Sequence, residues 1–427
     1  MLGAAAGVAF WLVFARRELD LASGLLWGSA LAYLAWLASV AFAGTAESPM
    51  IDRARVAFPH FVADVVSLGL PIGVALGIVD SVATRGNRIA ISIPRAIVGG
   101  GVAGLVGGWA FGVWMARVHF FPLVAGLVGS SDVSVGIALN FAIAVFIGAS
   151  FGLLFQRDIL GLGSSIVYGV AYGLLWWFVG PLTLLSALSH RPIDWTAANA
   201  SSLFGSLVGH LIYGTIIGTL YGLEDRAWKK FFYESDPLNR ETSGGVRTLE
   251  SVGRGVLASL VAGAIFSVVM LATGTLPRVA AIAHGTSVAL GFSVHMVISA
   301  MIGATYGYLF RYEAPDVAAS LAWGLAYGAI WWFLGALTLF PVLLGEPFDW
   351  SDAGAAAQLP SLVGHLLYGA ALAMTFLFLE RRHRAWLAAD ERLAIREIRR
   401  RRPLQTSAPA VWLLVVGLGV SLSVVLS

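Results

Sequence analysis

One apolar pattern occurs twice in this chain, as YGLLWWFVGPLTL at Tyr172–Leu184 and as YGAIWWFLGALTL at Tyr327–Leu339. The two copies lie 155 residues apart. At the same offset a Pro-x-Asp-Trp loop follows each copy, at Pro192–Trp195 and at Pro347–Trp350. A pattern that returns at a fixed offset together with its loop indicates an internal duplication. We therefore expect two parts of the chain to share one local fold.

The string SLVGHL is duplicated at the same offset, at Ser206–Leu211 and at Ser361–Leu366. Each copy places a histidine, His210 or His365, inside an otherwise apolar run. A tyrosine follows three residues after each histidine, as Tyr213 and Tyr368. A polar side chain within such a run needs a physical reason, because burying an unpaired polar group costs free energy.

The composition indicates a helical membrane protein. Of the 427 residues 58% are apolar and only 12% are charged, whereas soluble domains are about 25% charged. The mean hydropathy is +0.82, and several apolar runs are long enough to span a bilayer. The chain has no cysteine, which excludes disulfides, thiolate metal sites, iron–sulfur clusters and cysteine nucleophiles. The net charge of +3 does not indicate nucleic acid, because the basic residues lie in short loops.

The sequence predicts an all-α, polytopic fold of about twelve spans, with the lipid bilayer as its main partner. The predicted spans are residues 2–15, 20–43, 57–80, 95–116, 133–156, 162–187, 198–222, 253–274, 283–309, 317–342, 356–379 and 408–426.

The charged loops predict the orientation of these spans. Arginine and lysine concentrate in alternate loops, above all in Asp225–Arg254 and Arg381–Arg402, whereas the opposite loop Gly345–Ala353 is acidic. Because basic loops stay on the cytoplasmic side, both termini are predicted to lie outside. The predicted location is the inner (cytoplasmic) membrane of a bacterium.

The duplication predicts a modular organisation. Two full four-span repeats occupy residues 93–225 and 252–380, separated by a cytoplasmic linker at 226–251. Repeats with an even number of spans enter the membrane in the same sense, so they are related by an axis along the membrane normal. A degenerate N-terminal repeat of three spans occupies residues 1–92, because Asp20–Trp36 aligns with Asp316–Trp332. A basic cytoplasmic helix (381–404) and a closing span (405–427) complete the chain.

Several repeated residues are predicted to pack helices together. Glycines recur every fourth residue from Gly100 to Gly112, a stripe that lets helices approach closely or serves self-association. A narrow pore or a flat cofactor are the alternatives for this stripe. The tryptophans Trp176 and Trp331 lie within spans, where they pack against helices or a ligand. Asp194 and Asp349, in the Pro-x-Asp-Trp loops, are predicted to cap the following span.

The candidate site consists of ionisable and aromatic residues at membrane depth. Such ionisable residues are rare in lipid and face a bundle interior or a cavity. In the N-terminal repeat, Asp64 aligns with His210 and His365. His295 has Asn140 as its counterpart, and we expect His295 and His365 to meet within one repeat. The candidate substrate- or cofactor-binding residues are His210, His365, His295, Asp64, Trp176, Trp331, Tyr213 and Tyr368.

Two functions fit these residues. The first is movement of a small or hydrophobic solute, or of protons, through a cavity lined by the deep histidines and Asp64. The second is a scaffold or cofactor-holding subunit of a larger respiratory or photosynthetic complex, in which His210, His295 and His365 ligate haem or chlorophyll. An enzyme receives little support, because the sequence has no HExxH, DDxxD or Gly-x-Ser-x-Gly motif.

One resemblance rests on the string LPRVAAIAHGTSVALGFSVHMVISAMIGATYGYLF (Leu276–Phe310) and on the WWxxGxLTL and LVGHLxYG motifs. Together these resemble a group of uncharacterised bacterial integral membrane proteins built from one or several such four-span units. The resemblance covers both full repeats and implies a multi-pass bacterial membrane protein. It implies no activity.

Overall fold

The structure is a computed structural model. It describes residues 21–42, 50–83, 92–159, 161–232, 244–311, 316–388 and 407–425. These described residues are helical and contain no strand. Within these described ranges, eleven helices are long and apolar enough to cross a membrane, which confirms the predicted polytopic all-α class. The predicted first span, residues 2–15, lies outside the described residues, as does most of the predicted basic helix at 381–404.

The described part of the N-terminal repeat forms two membrane-spanning rods. The first is α1 (Leu21–Phe42), and the second runs through α2 (Met50–Asp64), a π-helical turn (Val65–Gly69) and α3 (Leu70–Ala83). The second rod continues through Pro59, which lies within α2.

The two full repeats have the same order of elements. The first contains α4 (Ile93–Arg117), α5 (Phe121–Ala125), α6 (Val133–Phe155), α7 (Leu162–Val179), a π-helical turn (Gly180–Leu184), α8 (Leu185–Leu188), α9 (Ala197–Ser202) and α10 (Phe204–Phe232). The second contains α11 (Gly244–Ala272), α12 (Leu276–Ala280), α13 (Val288–Phe310), α14 (Val317–Trp331), a π-helical segment (Trp332–Leu339), α15 (Phe340–Leu343), α16 (Asp352–Ala357) and α17 (Leu359–Ala388). We number the long helices of each repeat as spans one to four.

Each full repeat is a four-helix bundle in which the fourth span lies between the first and the third. In the first repeat α4 packs on α6 and on α10, and α10 packs on α7. The bundle closes where α6 meets α7, with the hydroxyls of Ser150 and Tyr172 2.8 Å apart. In the second repeat the hydroxyl of Tyr327 closes the same gap by donating to the Ile302 carbonyl at 2.9 Å.

Glycine pairs set the close approach of these helices. A Cβ added to Gly100 or to Gly148 would overlap the carbonyl oxygen of the other residue, so α4 and α6 touch through their backbones. The same holds for Gly169 and Gly214, which join α7 to α10. The glycine stripe of α4 is therefore covered by α6 of the same chain, and the prediction that it serves self-association does not agree with this packing.

The closing span occupies the centre of the molecule. It consists of α18 (Ala408–Trp412), a π-helical segment (Leu413–Leu418) and α19 (Gly419–Val425). It packs against α1, α7 and α14, which are the equivalent third spans of the three repeats. Its side chains are largely buried, and the indole nitrogen of Trp412 donates to the hydroxyl of Ser29 at 3.0 Å. A helix thus fills the position where a threefold arrangement would otherwise leave an axial channel.

One hydrogen bond recurs at equivalent positions in all three repeats. An indole N–H at the end of the third span donates to a backbone carbonyl at the start of the fourth. The three pairs are Trp36 to Ala57 (3.0 Å), Trp177 to Leu203 (3.3 Å) and Trp332 to Gln358 (3.0 Å). This bond satisfies the buried indole N–H and fixes the distance between the two spans.

The Pro-x-Asp-Trp loops are tied to the π-helical turns. In the first repeat the hydroxyl of Thr183 donates to the Phe178 carbonyl at 2.8 Å, and the Trp195 indole donates to that hydroxyl at 3.1 Å. Thr338, Phe333 and Trp350 make the same two bonds at 2.8 and 3.1 Å. The threonine of the Leu-Thr-Leu motif therefore donates a hydrogen bond to a backbone carbonyl that the π-helical turn leaves without its usual helical partner.

The predicted capping by the loop aspartates is wrong in detail. The N-cap residues are Thr196 and Ser351, and they cap the short helices α9 and α16 rather than a span. Asp194 instead accepts the backbone N–H of Thr196 at 2.9 Å, and Asp349 accepts that of Ser351 at 2.9 Å. Each aspartate holds the turn that precedes the cap, which is a common use of aspartate in loops.

Candidate functional site

The two repeated histidines bind the backbone of their own helix. Nδ1 of His210 lies 2.7 Å from the Ser206 carbonyl oxygen, and Nδ1 of His365 lies 2.8 Å from that of Ser361. Because a carbonyl oxygen only accepts hydrogen bonds, Nδ1 carries the hydrogen in both rings. The neutral ring then has a bare lone pair on Nε2.

Each of these rings packs against a phenylalanine of the first span of its repeat. The His210 ring meets the Phe111 ring edge-on with centroids 4.9 Å apart, and the His365 ring meets Phe266 in the same way at 4.9 Å. Nε2 of His365 faces the third span, since a Cβ added to Gly335 would lie 3.8 Å from it. The repeated histidine is therefore a packing element at the centre of each bundle.

Asn140 and His295, at equivalent positions, make different hydrogen bonds near equivalent backbone carbonyls of the first span. Asn140 donates its side-chain N–H to the Gly108 carbonyl at 3.1 Å. In the second repeat the Ser267 hydroxyl donates to the equivalent Gly263 carbonyl at 2.8 Å, and Nδ1 of His295 lies 2.9 Å from that hydroxyl. His295 therefore reaches the carbonyl through Ser267, whereas Asn140 reaches it directly.

The structure brings His295 and His365 into one cluster without a direct hydrogen bond between them. The Phe266 ring contacts both imidazoles edge-on, with centroids 5.2 Å from His295 and 4.9 Å from His365. Phe266 is the residue that sequence reasoning missed here. Its repetition as Phe111, at an offset of 155, was the available signal.

The repeated tyrosines also bind a helix backbone. The hydroxyl of Tyr213 donates to the Ala144 carbonyl at 2.6 Å. The hydroxyl of Tyr368 lies 3.3 Å from the equivalent Ser299 carbonyl and 2.6 Å from the Ser259 hydroxyl. Both tyrosines are buried. These hydrogen bonds join the fourth span of a repeat to its second span. They occupy the tyrosine hydroxyl, which is the group through which the side chain would bind a polar ligand.

The tryptophans at Trp176 and Trp331 are half-buried and pack on aromatic neighbours. The Trp176 ring lies 6.0 Å from that of Phe146 and 6.2 Å from that of Tyr172. The Trp331 ring lies 6.2 Å from that of Tyr327. These contacts lie within one bundle and leave part of each indole at its surface.

Asp64 differs from the histidines with which it aligns. It is the last residue of α2, half-buried, and it makes no hydrogen bond to another described residue. His60, one turn earlier on the same helix, is exposed. No contact between described residues joins Asp64 to His210 or His365, so the structure does not assemble these three groups into one site.

In the second repeat, Nε2 of His365 lies near the third span, where a Cβ added to Gly335 would be 3.8 Å from it, and Phe266 packs against the ring. The described residues also contain no group of three or more His, Asp or Glu side chains with metal-ligand spacing.

Two small cavities lie between the two full repeats, and the closing span lines one of them. Each has a volume of about 10 Å³, close to that of one water, and an apolar lining. Val170, Leu211, Ile330 and Phe333 line both. None of the predicted site residues lines either cavity.

Buried ion pairs mark the predicted cytoplasmic end of each full repeat. Arg95 pairs with Asp225 and, at 3.2 Å, with Glu224. Arg254 pairs with Glu380 at 2.8 Å. Both pairs join the first span of a repeat to its fourth. The acidic partners align at the offset of 155, whereas Arg254 aligns with Gly99, so sequence comparison alone did not reveal the pairing.

Comparison with models of protein families finds no match for this chain, and comparisons with curated proteins and with solved structures find none either.

Proposed function

We propose that this protein is a scaffold subunit of a larger membrane complex, without catalytic activity of its own. One observation carries the proposal. The polar side chains of the predicted site in the full repeats already have partners within the protein: Nδ1 of His210 and of His365 bonds the backbone of its own helix. The side chains of His295, Tyr213 and Tyr368 join one helix to another.

Rigid packing supports this function. The spans of each repeat touch backbone to backbone through glycine pairs such as Gly169 and Gly214, and the closing span fills the centre. Interfaces packed in this way resist the sliding that alternating access requires. A rigid, largely apolar body presents a defined surface to neighbouring membrane proteins.

The test is purification from native membranes in a mild detergent or in nanodiscs. We expect other membrane proteins to co-purify at fixed stoichiometry, and a variant with both His210→Gln and His365→Gln to retain them. Recovery of this chain without any stoichiometric partner would contradict the proposal. A Soret or Qy band that belongs to this chain would instead support the cofactor-holding version of the subunit role.

Transport is the second candidate, and the π-helical segments favour it. They lie at Gly180–Leu184 and Trp332–Leu339, in the spans that face the repeated histidines. π-Helical turns often occur at functional sites because they weaken the local hydrogen-bond ladder. Solute flux into proteoliposomes that His210→Ala and His365→Ala abolish, without loss of folded protein, would establish transport and exclude the scaffold role.

A further inference from the structure

In both full repeats, one face of the fourth span is covered by the first span. In the first repeat this face carries Ser206, His210 and Tyr213. The Phe111 ring covers His210, and a Cβ added to Gly107 would contact the Tyr213 ring at 2.7 Å. The face is therefore dry, and its polar groups have partners within the bundle.

The equivalent face of the N-terminal repeat is uncovered among the described residues. It carries His60, Asp64 and Ser67 where the first repeat has Ser206, His210 and Tyr213. His60 and Ser67 are exposed, and Val56, one turn before His60, is 81% exposed. We define these four residues, Val56, His60, Asp64 and Ser67, as the α2 face.

The α2 face is polar at a depth where lipid cannot satisfy it. Asp64 lies near the middle of the span Asp52–Val79 and has no hydrogen-bond partner among the described residues. An ionisable group at such a depth is expensive in lipid and pairs with another polar group. Ser67 donates to the carbonyl of Ala63 on its own helix and not to Asp64. The Asp64 carboxyl interacts electrostatically with His60, one turn earlier on the same helix, without a hydrogen bond between them.

We propose that two copies of this chain associate through the α2 face, side by side in the membrane. The face contains both a donor, His60, and an acceptor, Asp64, one helical turn apart. A contact about a two-fold axis joins a surface to itself, so it requires this kind of self-complementarity. The imidazole of His60 in each copy donates to the Asp64 carboxyl of the other.

Small side chains let the two helices approach closely enough for these bonds. Ala63 and Ser67 lie one turn apart on the rod formed by α2 and α3. Small residues at helix-repeat spacing are typical of helix pairs in lipid. Self-association goes beyond the proposed scaffold role, because it holds whether or not other subunits bind.

The absence of cysteine from the chain permits a direct test. Val56→Cys and Ser67→Cys are made singly, and intact membranes are treated with copper phenanthroline, which oxidises nearby thiols to disulfides. We expect a covalent dimer from both variants. Two substitutions are used so that a folding defect in one, checked by size exclusion, leaves the other decisive.

Matched controls lie at equal depths on other exposed surfaces. Val268, 67% exposed, lies four residues from the end of its span, as Val56 does. Val102, 55% exposed, lies fifteen residues from the end of its span, as Ser67 does. Val268→Cys and Val102→Cys should give little dimer. Adding Asp64→Leu to Ser67→Cys should lower the dimer yield about tenfold, as expected for losing the two symmetry-related interhelical hydrogen bonds in lipid.

Three results would overturn the proposal. They are no dimer from either face variant, equal dimer from face and control variants, and disulfides formed only with a different protein. Dimers without other co-purifying subunits would support self-association and count against the scaffold role. Stoichiometric partners without dimers would support the scaffold role and count against self-association. The two proposals can therefore be contradicted independently.

Discussion

The two full repeats hold their first and second spans together with different polar side chains. In the first repeat Asn140 donates directly to the Gly108 carbonyl. In the second, the equivalent Gly263 carbonyl accepts from Ser267, which in turn contacts His295. What the two repeats share is a satisfied carbonyl, and the residue that satisfies it differs. A deep histidine in this chain is therefore explained by hydrogen bonding before any ligand is invoked.

The repeats also differ in how they pair charge at the predicted cytoplasmic end. Arg95 has two carboxylate partners, Glu224 and Asp225, whereas Arg254 pairs with Glu380. By contrast, the indole bonds of Trp177 and Trp332 are the same in both repeats. The comparison distinguishes contacts that both repeats share, such as the indole bonds, from contacts that differ between them, such as the ion pairs. Five experiments test this distinction.

The largest expected effect comes from an element that both repeats share. Trp332→Ala and Trp177→Ala each remove a fully buried indole and its hydrogen bond. Each should destabilise the protein by about 3–5 kcal/mol, because a large cavity is left. Thermal unfolding in detergent measures the loss. Trp386→Ala, at a 67% exposed position, is the control. A large effect in only one repeat would show that the shared bond is not an equivalent element.

The ion pairs should respond unequally to loss of the acid. Glu380→Gln leaves the partly buried Arg254 without its carboxylate, at a cost of about 3 kcal/mol. Asp225→Asn should cost less, because Glu224 remains 3.2 Å from Arg95. Chemical unfolding of the two variants under one condition gives the comparison. Equal losses would mean that Glu224 contributes nothing to the first pair.

Close backbone contacts should be intolerant of one added methyl group in both repeats. In Gly169→Ala and Gly324→Ala the new Cβ overlaps the backbone of the fourth span, which should cost about 1–3 kcal/mol. Gly253→Ala is the matched control, because nothing lies within 4 Å of a Cβ there. That control should be neutral or stabilising by up to about 1 kcal/mol, since alanine favours helix.

His295→Asn places in the second repeat the residue type that the first repeat has at the equivalent position, Asn140. Asparagine can donate to the helix backbone as Asn140 does, so we expect a loss of about 1 kcal/mol or less. His295→Leu, which cannot donate, should lose more. Thermal unfolding in detergent measures both losses, and if the two variants are equally unstable, asparagine does not replace the imidazole and the comparison fails.

The smallest effect concerns the caps of the second spans. Asp132 caps α6 by accepting from the Ser134 N–H at 2.8 Å, and these bonds hold the pKa of its carboxyl below the ordinary value. A lowered pKa contributes stability that is complete above the unfolded-state pKa, about 3.9. That stability is lost as pH falls through the lower folded-state pKa. Ser287, the equivalent cap of α13, does not titrate there. Asp132→Ser should therefore flatten the acid limb of the stability curve slightly, whereas Ser287→Ala should leave its shape unchanged.

Much of the architecture was predictable because lipid imposes simple rules. Every backbone polar group in a bilayer needs an internal partner, so long apolar runs become helices. The structure bears out the all-α, multi-span class. The repeat boundaries, the orientation of the termini and the bacterial inner membrane remain predictions.

The sequence by itself determined that the chain is a helical membrane protein and that Trp332, His365 and Tyr368 return at a fixed offset from their first-repeat counterparts. Only the tertiary structure decided what those residues do. Identity at an offset does not say which way a side chain points, and each residue turns the helix by about 100°. The partner of a polar atom is a carbonyl on a neighbouring helix or one turn back, and its position depends on how glycine pairs and the closing span pack the bundles together.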